Sequence, residues 1–225
     1  GGGRNPRPGE ITLAHRGVLF LDEMPEFSRR SLEILRQPLE DKVIRISRVY
    51  GTYDFPADFM LCAAMNPCPC GHYPDMNRCR CTPAQVMQYL GRISQPLLDR
   101  LDLCAEVSPV DFEGLSSGRK GESTQTIRER VICAQDIQRE RYKIEGIQFN
   151  GELSGAQIEK YCKMEKDARQ LLKMAFQNMP FSARAYHRIL KVARTIADME
   201  ATESIHRHHI AEALSYRAFD KKYWN

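Results

Sequence analysis

The chain has 225 residues, of which 42% are hydrophobic and 28% charged, so it can bury a core and is typical of a globular protein. No apolar run approaches the roughly 18 residues that a spanning helix needs, and residues 1–4 (GGGR) lack the apolar core of a signal peptide. We therefore expect a cytoplasmic protein with no membrane partner. The net charge of +4 permits nucleic-acid binding without indicating it.

The first hundred residues alternate strand-like and helix-like segments, which predicts an α/β fold. Four consecutive apolar residues at 18–21 predict a short strand of a parallel sheet that is covered on both faces. Further segments are predicted from apolar periodicity and from turn residues. They are a helix over 31–37 ended by Pro38, a β-hairpin over 43–55, a strand over 59–65 and a half-buried strand over 101–107.

The last hundred residues carry apolar side chains at helical spacing, which predicts an all-α domain. The pattern changes between 109 and 121, and we place the domain boundary so that residues 1–110 and 111–225 form the two domains. A turn is predicted at Asn150-Gly151. The helices predicted in this part cover 126–142, 154–164, 167–178, 182–199 and 206–216.

Two adjacent carboxylates, Asp22 and Glu23, follow the strand at 18–21 directly. Ligands gather at the carboxyl ends of parallel strands, so this pair is a candidate for phosphate chemistry. We expect Asp22 in the shell around Mg²⁺ and expect Glu23 to polarise the water that attacks a γ-phosphate. The alternative is a core strand followed by surface acids.

Two further polar residues occupy positions that suit phosphate chemistry. Asn66 follows the strand at 59–65 and would lie at the same sheet edge as the carboxylates if the two strands are neighbours. Arg100 ends a helix just before a strand and would be offered to a phosphate on another subunit. The alternatives are an ordinary turn residue for Asn66 and a surface ion pair with a neighbouring aspartate for Arg100.

A third arginine, Arg184, lies in the first turn of the strongly apolar helix predicted at 182–199, with Ser182 as its N-cap. Arg184, Arg188 and Lys191 share one narrow helix face at spacings of four and three. This stripe is either a phosphate-directed face or simply a solvated one.

Four of the eight cysteines lie within fourteen positions, in two C-x-C pairs: Cys68, Cys70, Cys79 and Cys81. Without a secretory signal, such a cluster indicates metal chemistry rather than disulfides. Four thiolates would close tetrahedrally on a structural Zn²⁺, with His72 as a spare ligand. Free thiols or labile disulfides are the alternative.

The hairpin predicted at 43–55 combines positive charge with aromatic rings near its tip, the residues concerned being Lys42, Arg45, Arg48, Tyr50 and Tyr53. Charge attracts phosphates and rings stack on bases, so this hairpin is a candidate DNA-binding element. Alternatively, it is an exposed hairpin whose charges prevent aggregation.

In this order the elements resemble the AAA+ ATPases. Five segments are similar to the magnesium-chelatase-related proteins of the competence-associated ComM type: PRPGEITLAHRGVLFLDEMPEFSRRSLEILRQPLED, AAMNPCPCG, CRC, LLDRLDL and SARAYHRILKVARTIAD. The resemblance covers almost the whole chain. It implies that Asp22 and Glu23 belong to the Walker B motif, Asn66 to sensor 1, Arg100 to the arginine finger and Arg184 to sensor 2.

This resemblance implies part of an AAA+ α/β core followed by an all-helical lid, with ATP and Mg²⁺ as cofactors. It further implies a ring, taken as a hexamer, that couples ATP hydrolysis to DNA branch migration in natural transformation. Related helicases insert a hairpin before sensor 1 into a DNA channel. Two other classes stay open: a chelatase-like ATPase that remodels a protein or inserts Mg²⁺ into a porphyrin, and a non-enzymatic interaction module held together by zinc.

The phosphate-binding motif G-x-x-x-x-G-K-[ST] does not occur in these 225 residues. In the family that the chain resembles, this loop lies upstream, together with a Lon-protease-like domain. We therefore expect a carboxyl-terminal part of an ATPase that begins inside the module. On its own, this part is expected to bind nucleotide poorly and to be inactive.

Overall fold

The computed structural model describes residues 6–107, 116, 121–178 and 181–217. They form two compact units, one made of the described residues up to Leu101 and one that begins at Asp102. The predicted boundary between 110 and 111 lies outside the described residues. Within these ranges, no helix has both the length and the apolar character that crossing a membrane requires.

The first unit mixes strands with short helices, which confirms the predicted α/β class. Its elements, in chain order, are α1 (Glu10–Leu13), β1 (Val18–Leu21), α2 (Arg29–Ile34), α3 (Arg36–Asp41), β2 (Val43–Arg48), β3 (Gly51–Pro56), β4 (Met60–Ala63), α4 (Pro83–Leu90) and α5 (Gln95–Leu98). A 3₁₀ turn, Met24–Glu26, follows β1.

Strands β1 and β4 form a parallel pair, in the register Val18 opposite Met60 and Leu21 opposite Ala63. The predicted strands at 18–21 and 59–65 are thus confirmed. The expectation that β1 is covered on both faces is wrong for the described residues. Successive side chains of a strand point to opposite faces: Leu19 and Leu21 pack against a core that includes Met24, Leu32 and Leu97, whereas Val18 and Phe20 are 59% and 57% exposed.

The predicted helix over 31–37 forms as two consecutive helices, α2 and α3. Ser28 caps α2, because its hydroxyl accepts the N–H of Ser31 at 3.1 Å. Pro38 does not end the helix, so that prediction is wrong. It occupies the third position of α3, where a backbone N–H would have no intrahelical partner in any case.

The predicted hairpin is confirmed as β2 and β3, which pair in antiparallel fashion from Val43 opposite Pro56 to Arg48 opposite Gly51. The predicted strand over 101–107 is wrong, because the structure assigns no strand to these residues. Cys104 donates its N–H to the carbonyl of Tyr216 at 3.1 Å, but no partner strand lies beside this segment in the described part of the chain.

The second unit is helical, and each helix predicted for it is present. Its helices are α6 (Thr124–Arg141), α7 (Gly155–Tyr161), α8 (Lys166–Asn178), α9 (Ala183–Met199) and α10 (Arg207–Ser215). The predicted turn at Asn150-Gly151 is the short 3₁₀ helix Asn150–Glu152. The apolar core of this unit includes Ile158, Leu172, Ile189, Leu190, Ala193, Ile205 and Ile210.

A buried polar network centred on Asp198 crosses this helical core. The Asp198 carboxylate is 1% exposed and accepts hydrogen bonds from Arg141 at 2.9 Å, Arg194 at 3.1 Å and Asn150 at 2.8 Å. Arg194, itself fully buried, also donates to the carbonyls of Thr202 and Glu203. One carboxylate therefore links α6, α9, the 3₁₀ turn and, through Arg194, the segment before α10.

Replacing Asp198 with alanine is expected to lower the free energy of unfolding by about 3–5 kcal/mol, because the fully buried Arg194 and the partly buried Arg141 lose their shared carboxylate. The matched control is Asp136→Ala, which removes an exposed carboxylate that bonds Arg139 on the same helix. It should cost less than about 1 kcal/mol. Urea denaturation followed by circular dichroism measures both values, and equal losses would contradict this role of Asp198.

Candidate functional site

The turn that carries Asp22 and Glu23 is held to the strand beside it. Beyond the last paired residues of the sheet, Ala64 donates its N–H to the carbonyl of Leu21 at 2.9 Å, and Met24 donates to the carbonyl of Ala64 at 3.0 Å. The two carboxylates thus lie between two backbone hydrogen bonds at the carboxyl edge of the parallel pair. Both side chains are exposed and open to a ligand.

Glu23 has a left-handed backbone, with φ of 48° and ψ of 47°. A non-glycine residue in this region costs about 1–3 kcal/mol, and such residues cluster at functional sites. The turn is kept in place by the Glu23 N–H, which donates to Asp22 Oδ1 at 3.0 Å, and by burial of Met24 and Pro25 directly after it. This left-handed backbone conformation turns the chain sharply, so both carboxylates lie outside the core.

Asn66 lies three residues beyond β4, at the same edge of the sheet. Its backbone N–H donates to the hydroxyl of Tyr89 on α4. Its exposed side chain lies beside Gly71, where an added β-carbon would stand 3.9 Å from Asn66 Oδ1. The structure therefore places the Asn66 segment next to the Asp22-Glu23 turn, and the catalytic roles of the three residues stay predictions.

Two residues that sequence reasoning missed hold these loops. Tyr89 is 5% exposed and contacts the Asn66 backbone, and burial followed by the charges of Glu26 and Glu23 raises the pKa of its phenol. Arg92 donates to the carbonyl of Pro25 at 2.7 Å and to the Glu26 carboxylate at 3.0 Å. The motif Thr82-Pro-Ala-Gln forms a capping box that starts α4. This motif is the sequence signal from which the helix that carries Tyr89 could have been predicted.

Arg100 lies buried in its own unit rather than on an exposed surface. Its side chain is 5% exposed, pairs with Glu40 at 2.8 Å and donates to the carbonyl of Pro96 at 2.5 Å. The partner is neither of the aspartates beside it in the sequence. For Arg100 to reach a phosphate on another subunit, the Glu40 ion pair has to open.

Arg184 lies in the first turn of α9 and is exposed. The predicted N-cap is present, since Ser182 Oγ accepts the N–H of Ala185 at 3.1 Å. The other two members of the predicted stripe have structural partners: Arg188 pairs with Asp102, and Lys191 donates to the carbonyl of Gly151 at 2.9 Å. Arg184 belongs to the helical unit, and the carboxylates belong to the α/β unit.

The four clustered cysteines come together in space. The Sγ atoms of Cys68 and Cys70 lie 3.4 Å apart, those of Cys68 and Cys79 3.8 Å, and those of Cys70 and Cys79 3.6 Å. The Sγ atom of Cys81 lies within 4.8 Å of the other three. All four are free thiols. His72 is not among the grouped side chains.

Charge repulsion makes it unfavourable for all four cysteines of the cluster to be thiolates at once without a compensating positive charge. Backbone N–H groups of His72 and Arg80 lower the pKa of Cys70 to about 6. Desolvation and the neighbouring sulfur atoms raise the pKa of Cys81 to about 12. Like charges this close repel one another unless protons or a cation lie among them.

The cations of the hairpin are engaged in ion pairs to different degrees. Arg45 forms a two-pronged pair with Asp54 across the strands, at 2.8 and 2.9 Å, and its hydrogen bonds lower the pKa of Asp54. Lys42 pairs with Asp58 at 3.2 Å. Arg48 donates to the carbonyl of Ser47 beside the tip. The tip itself presents Val49 and Tyr50, which are 95% and 83% exposed.

A second cluster of potential metal ligands joins Glu200, His208 and His209 in the helical unit. His209 Nδ1 accepts the backbone N–H of His206 at 2.9 Å, so neutral His209 carries its proton on Nε2 and donates it to Glu200 at 3.0 Å. Nδ1 of this buried histidine thus caps α10, and Nε2 bonds Glu200, the residue that ends α9. The arrangement is a helix cap, which explains it without a metal.

Comparison with known proteins gives two family matches that together cover most of the chain. Residues 1–115 match the model described as magnesium chelatase, subunit ChlI, and residues 121–217 match the model of its C-terminal part. These matches cover both structural units.

Relatives from several bacteria are similar over nearly the entire chain. The competence protein ComM of Haemophilus influenzae is 48% identical over 219 residues, which is 97% of this chain and 42% of that protein. The uncharacterized protein YifB of Salmonella typhimurium is 48% identical over 98% of this chain and 43% of its own length, and Rv2897c of Mycobacterium tuberculosis is 40% identical over 96% and 43%. The chain thus spans less than half the length of these relatives. It belongs to the magnesium chelatase subunit ChlI family.

Proposed function

We propose that the whole protein is a ring-forming AAA+ ATPase that uses ATP hydrolysis to remodel DNA. The observation that carries the ATPase part is the parallel register of β1 and β4. It sets the exposed Asp22-Glu23 pair and the Asn66 segment at one sheet edge, where nucleotides are bound in α/β proteins. Membership in the magnesium chelatase family supports the same activity.

The donor set at this edge suits a hydrated Mg²⁺ ion that carries nucleotide phosphates. Magnesium prefers carboxylate and water oxygens, and Asp22 is an exposed carboxylate held by its own turn. When bound, the ion would neutralise charge on the phosphates. Glu23 would accept a proton from the attacking water, and Asn66 would orient that water or a phosphate oxygen. The phosphate loop itself would come from outside these 225 residues.

Arg100 would complete the site of a neighbouring subunit, as an arginine finger does. This role requires the buried ion pair with Glu40 to open, because the Arg100 guanidinium has to exchange the Glu40 carboxylate for a phosphate. Arg184, exposed in the first turn of α9, would act as sensor 2, on the nucleotide of its own subunit or on that of a neighbour.

The DNA part of the proposal rests on the hairpin. Its exposed tip offers an aromatic ring, Tyr50, next to the cation Arg48, a combination that suits a nucleic-acid strand. Lys42 and Arg45 would add to the positive charge along the hairpin, although both are paired with aspartates, Asp58 and Asp54. The Haemophilus relative is named a competence protein, and we extend this to a role in branch migration during DNA uptake.

A second function, chelatase-like remodelling of a protein or insertion of Mg²⁺ into a porphyrin, is favoured by the description of the matched family models. It would use the same carboxylates. The two proposals differ in one measurable property, because only a DNA motor has an ATPase rate that rises when DNA is added.

Glu23→Gln in the whole protein should reduce the ATPase rate by about 10²–10⁴-fold and leave Mg-ATP binding within threefold, because the amide cannot accept a proton. Glu10→Gln, an exposed carboxylate of the same unit, is the matched control and should leave the rate unchanged. A steady-state phosphate-release assay with and without DNA measures both variants. Near-normal hydrolysis by Glu23→Gln would remove Glu23 from the mechanism.

Mixing inactive variants tests the trans role of Arg100. Arg100→Ala and Glu23→Gln are each expected to be inactive alone, but a mixed ring contains interfaces in which an intact Glu23 faces an intact Arg100. Equimolar mixing after subunit exchange should therefore restore up to about a quarter of the wild-type rate, by random pairing. Glu40→Gln separates the alternatives: if Arg100 serves only the internal ion pair, this variant copies Arg100→Ala and mixing restores nothing.

For the hairpin, Arg48→Ala is expected to weaken DNA binding and to reduce the salt dependence by about one unit of slope, which corresponds to one lost phosphate contact. Tyr50→Ala should cost about 1–3 kcal/mol of affinity for single strands without changing that slope. Arg139→Ala, an exposed arginine of α6, is the charge-matched control. Fluorescence anisotropy over a salt series measures these effects, and unchanged affinity in both hairpin variants would exclude the tip.

A further inference from the structure

The loop formed by residues 68–81, called the cysteine loop below, has no helix or strand to hold it. Its residues form turns and bends or have no regular secondary structure. Ordered loops of this length without secondary structure need another source of stability. Cys68 packs with Val86, Tyr89 and Leu90, and Tyr73, Cys79 and Cys81 of the loop pack against this small cluster. A cross-link within the loop would supply what the small core does not.

The sulfur positions match a tetrahedral metal site. Zn–S bonds of about 2.3 Å in a tetrahedron place the sulfur atoms about 3.8 Å apart. The three Sγ–Sγ separations among Cys68, Cys70 and Cys79 are 3.4, 3.8 and 3.6 Å. A disulfide needs a separation of about 2.05 Å, so these sulfur atoms are not bonded in pairs. They are arranged as the ligands of one ion.

Backbone N–H groups point at the sulfur atoms from several sides. Tyr73 donates to Cys68 Sγ at 3.4 Å, and His72 and Arg80 donate to Cys70. Such donors orient thiolate ligands and offset part of their charge. Cys68 is buried and Cys70 is exposed, so the site lies at the surface, where an ion can enter.

The cysteine loop is in contact with the candidate ATPase site. Cys68 follows Asn66 by two residues, and Gly71 lies against the Asn66 side chain. Gly71 has φ of +80°, a conformation that favours glycine, and the loop can therefore turn back over Asn66. Tyr89 packs on Cys68 and also accepts the Asn66 N–H.

We propose that Cys68, Cys70, Cys79 and Cys81 bind one Zn²⁺ ion, and that this ion positions Asn66 by fixing the cysteine loop against it. Four thiolates and no open coordination position define a structural site, so the ion itself takes no part in hydrolysis. Soft thiolate ligands in a tetrahedral arrangement select zinc over Mg²⁺, which separates this site from the one at Asp22. The positioning half of the proposal rests on the ATPase function proposed above.

Metal analysis of the whole protein, purified without chelator, tests the site directly. About one zinc per chain is expected, falling below about 0.2 in Cys79→Ser, because three thiolates hold the ion far less tightly. Cys133→Ser, an exposed cysteine of α6, is the matched control and should keep its zinc. Less than about 0.2 zinc per wild-type chain, iron in its place, or full zinc in Cys79→Ser would overturn the proposal.

Cobalt substitution tests the same site in the wild-type protein, so the result does not depend on whether a cysteine variant folds. Wild-type protein is stripped by chelator and titrated with Co²⁺, and it should develop thiolate-to-cobalt charge transfer and tetrahedral visible bands at one equivalent. Absence of these bands, or a mass loss of two hydrogens per cysteine pair that indicates disulfides, would contradict a tetrathiolate site.

The link to Asn66 is tested by a double-mutant cycle on the ATPase rate. Cys79→Ser is expected to lower the rate about tenfold in wild-type protein and not at all in an Asn66→Ala background, because the ion then has nothing left to position. Equal effects in both backgrounds would overturn the positioning role. If wild-type protein hydrolyses no ATP, the proposed function fails, and the zinc and cobalt results still decide the site.

Discussion

The parallel pairing of two four-residue strands, Val18–Leu21 and Met60–Ala63, is the constraint on which the α/β unit depends. Parallel strands point their carboxyl ends the same way, so whatever follows β1 and β4 meets at one edge. The carboxylates follow the first strand, and Asn66 with the cysteine loop follows the second. The proposed ATPase site rests on that shared direction.

The two units are stabilised by different means. The helical unit has a continuous apolar core, and the buried Asp198 carboxylate joins its helices through the side chains of Arg141 and Arg194. The α/β unit has two smaller cores and a strand pair with one exposed face. A loop beside its candidate site therefore gains more from a metal cross-link than a loop on the helical unit would.

The sequence predicted much of the candidate site, because local patterns carry much of the chemistry. An apolar run followed by Asp22-Glu23 and a second strand before Asn66 were enough to expect a shared edge. The cysteine spacing was enough to expect that four sulfur atoms meet. The surroundings of these residues were harder to predict from the sequence. The burial of Arg100 against Glu40 and the contact of Tyr89 with Asn66 join residues far apart in the chain. No local pattern encodes such pairs.

The sequence alone determined the helices of the second unit, the hairpin and the two strands of the parallel pair. Apolar side chains repeat about every 3.6 residues along a helix and every two along a strand, and this spacing is visible without the fold. The tertiary structure decided what each element packs against. Alternation at 101–107 predicted a strand, but no partner strand lies beside it among the residues that the structure describes. Pro38 was accommodated in the first turn of a helix rather than ending one. Pairing and burial depend on neighbours distant in sequence, and those neighbours are set only when the chain folds.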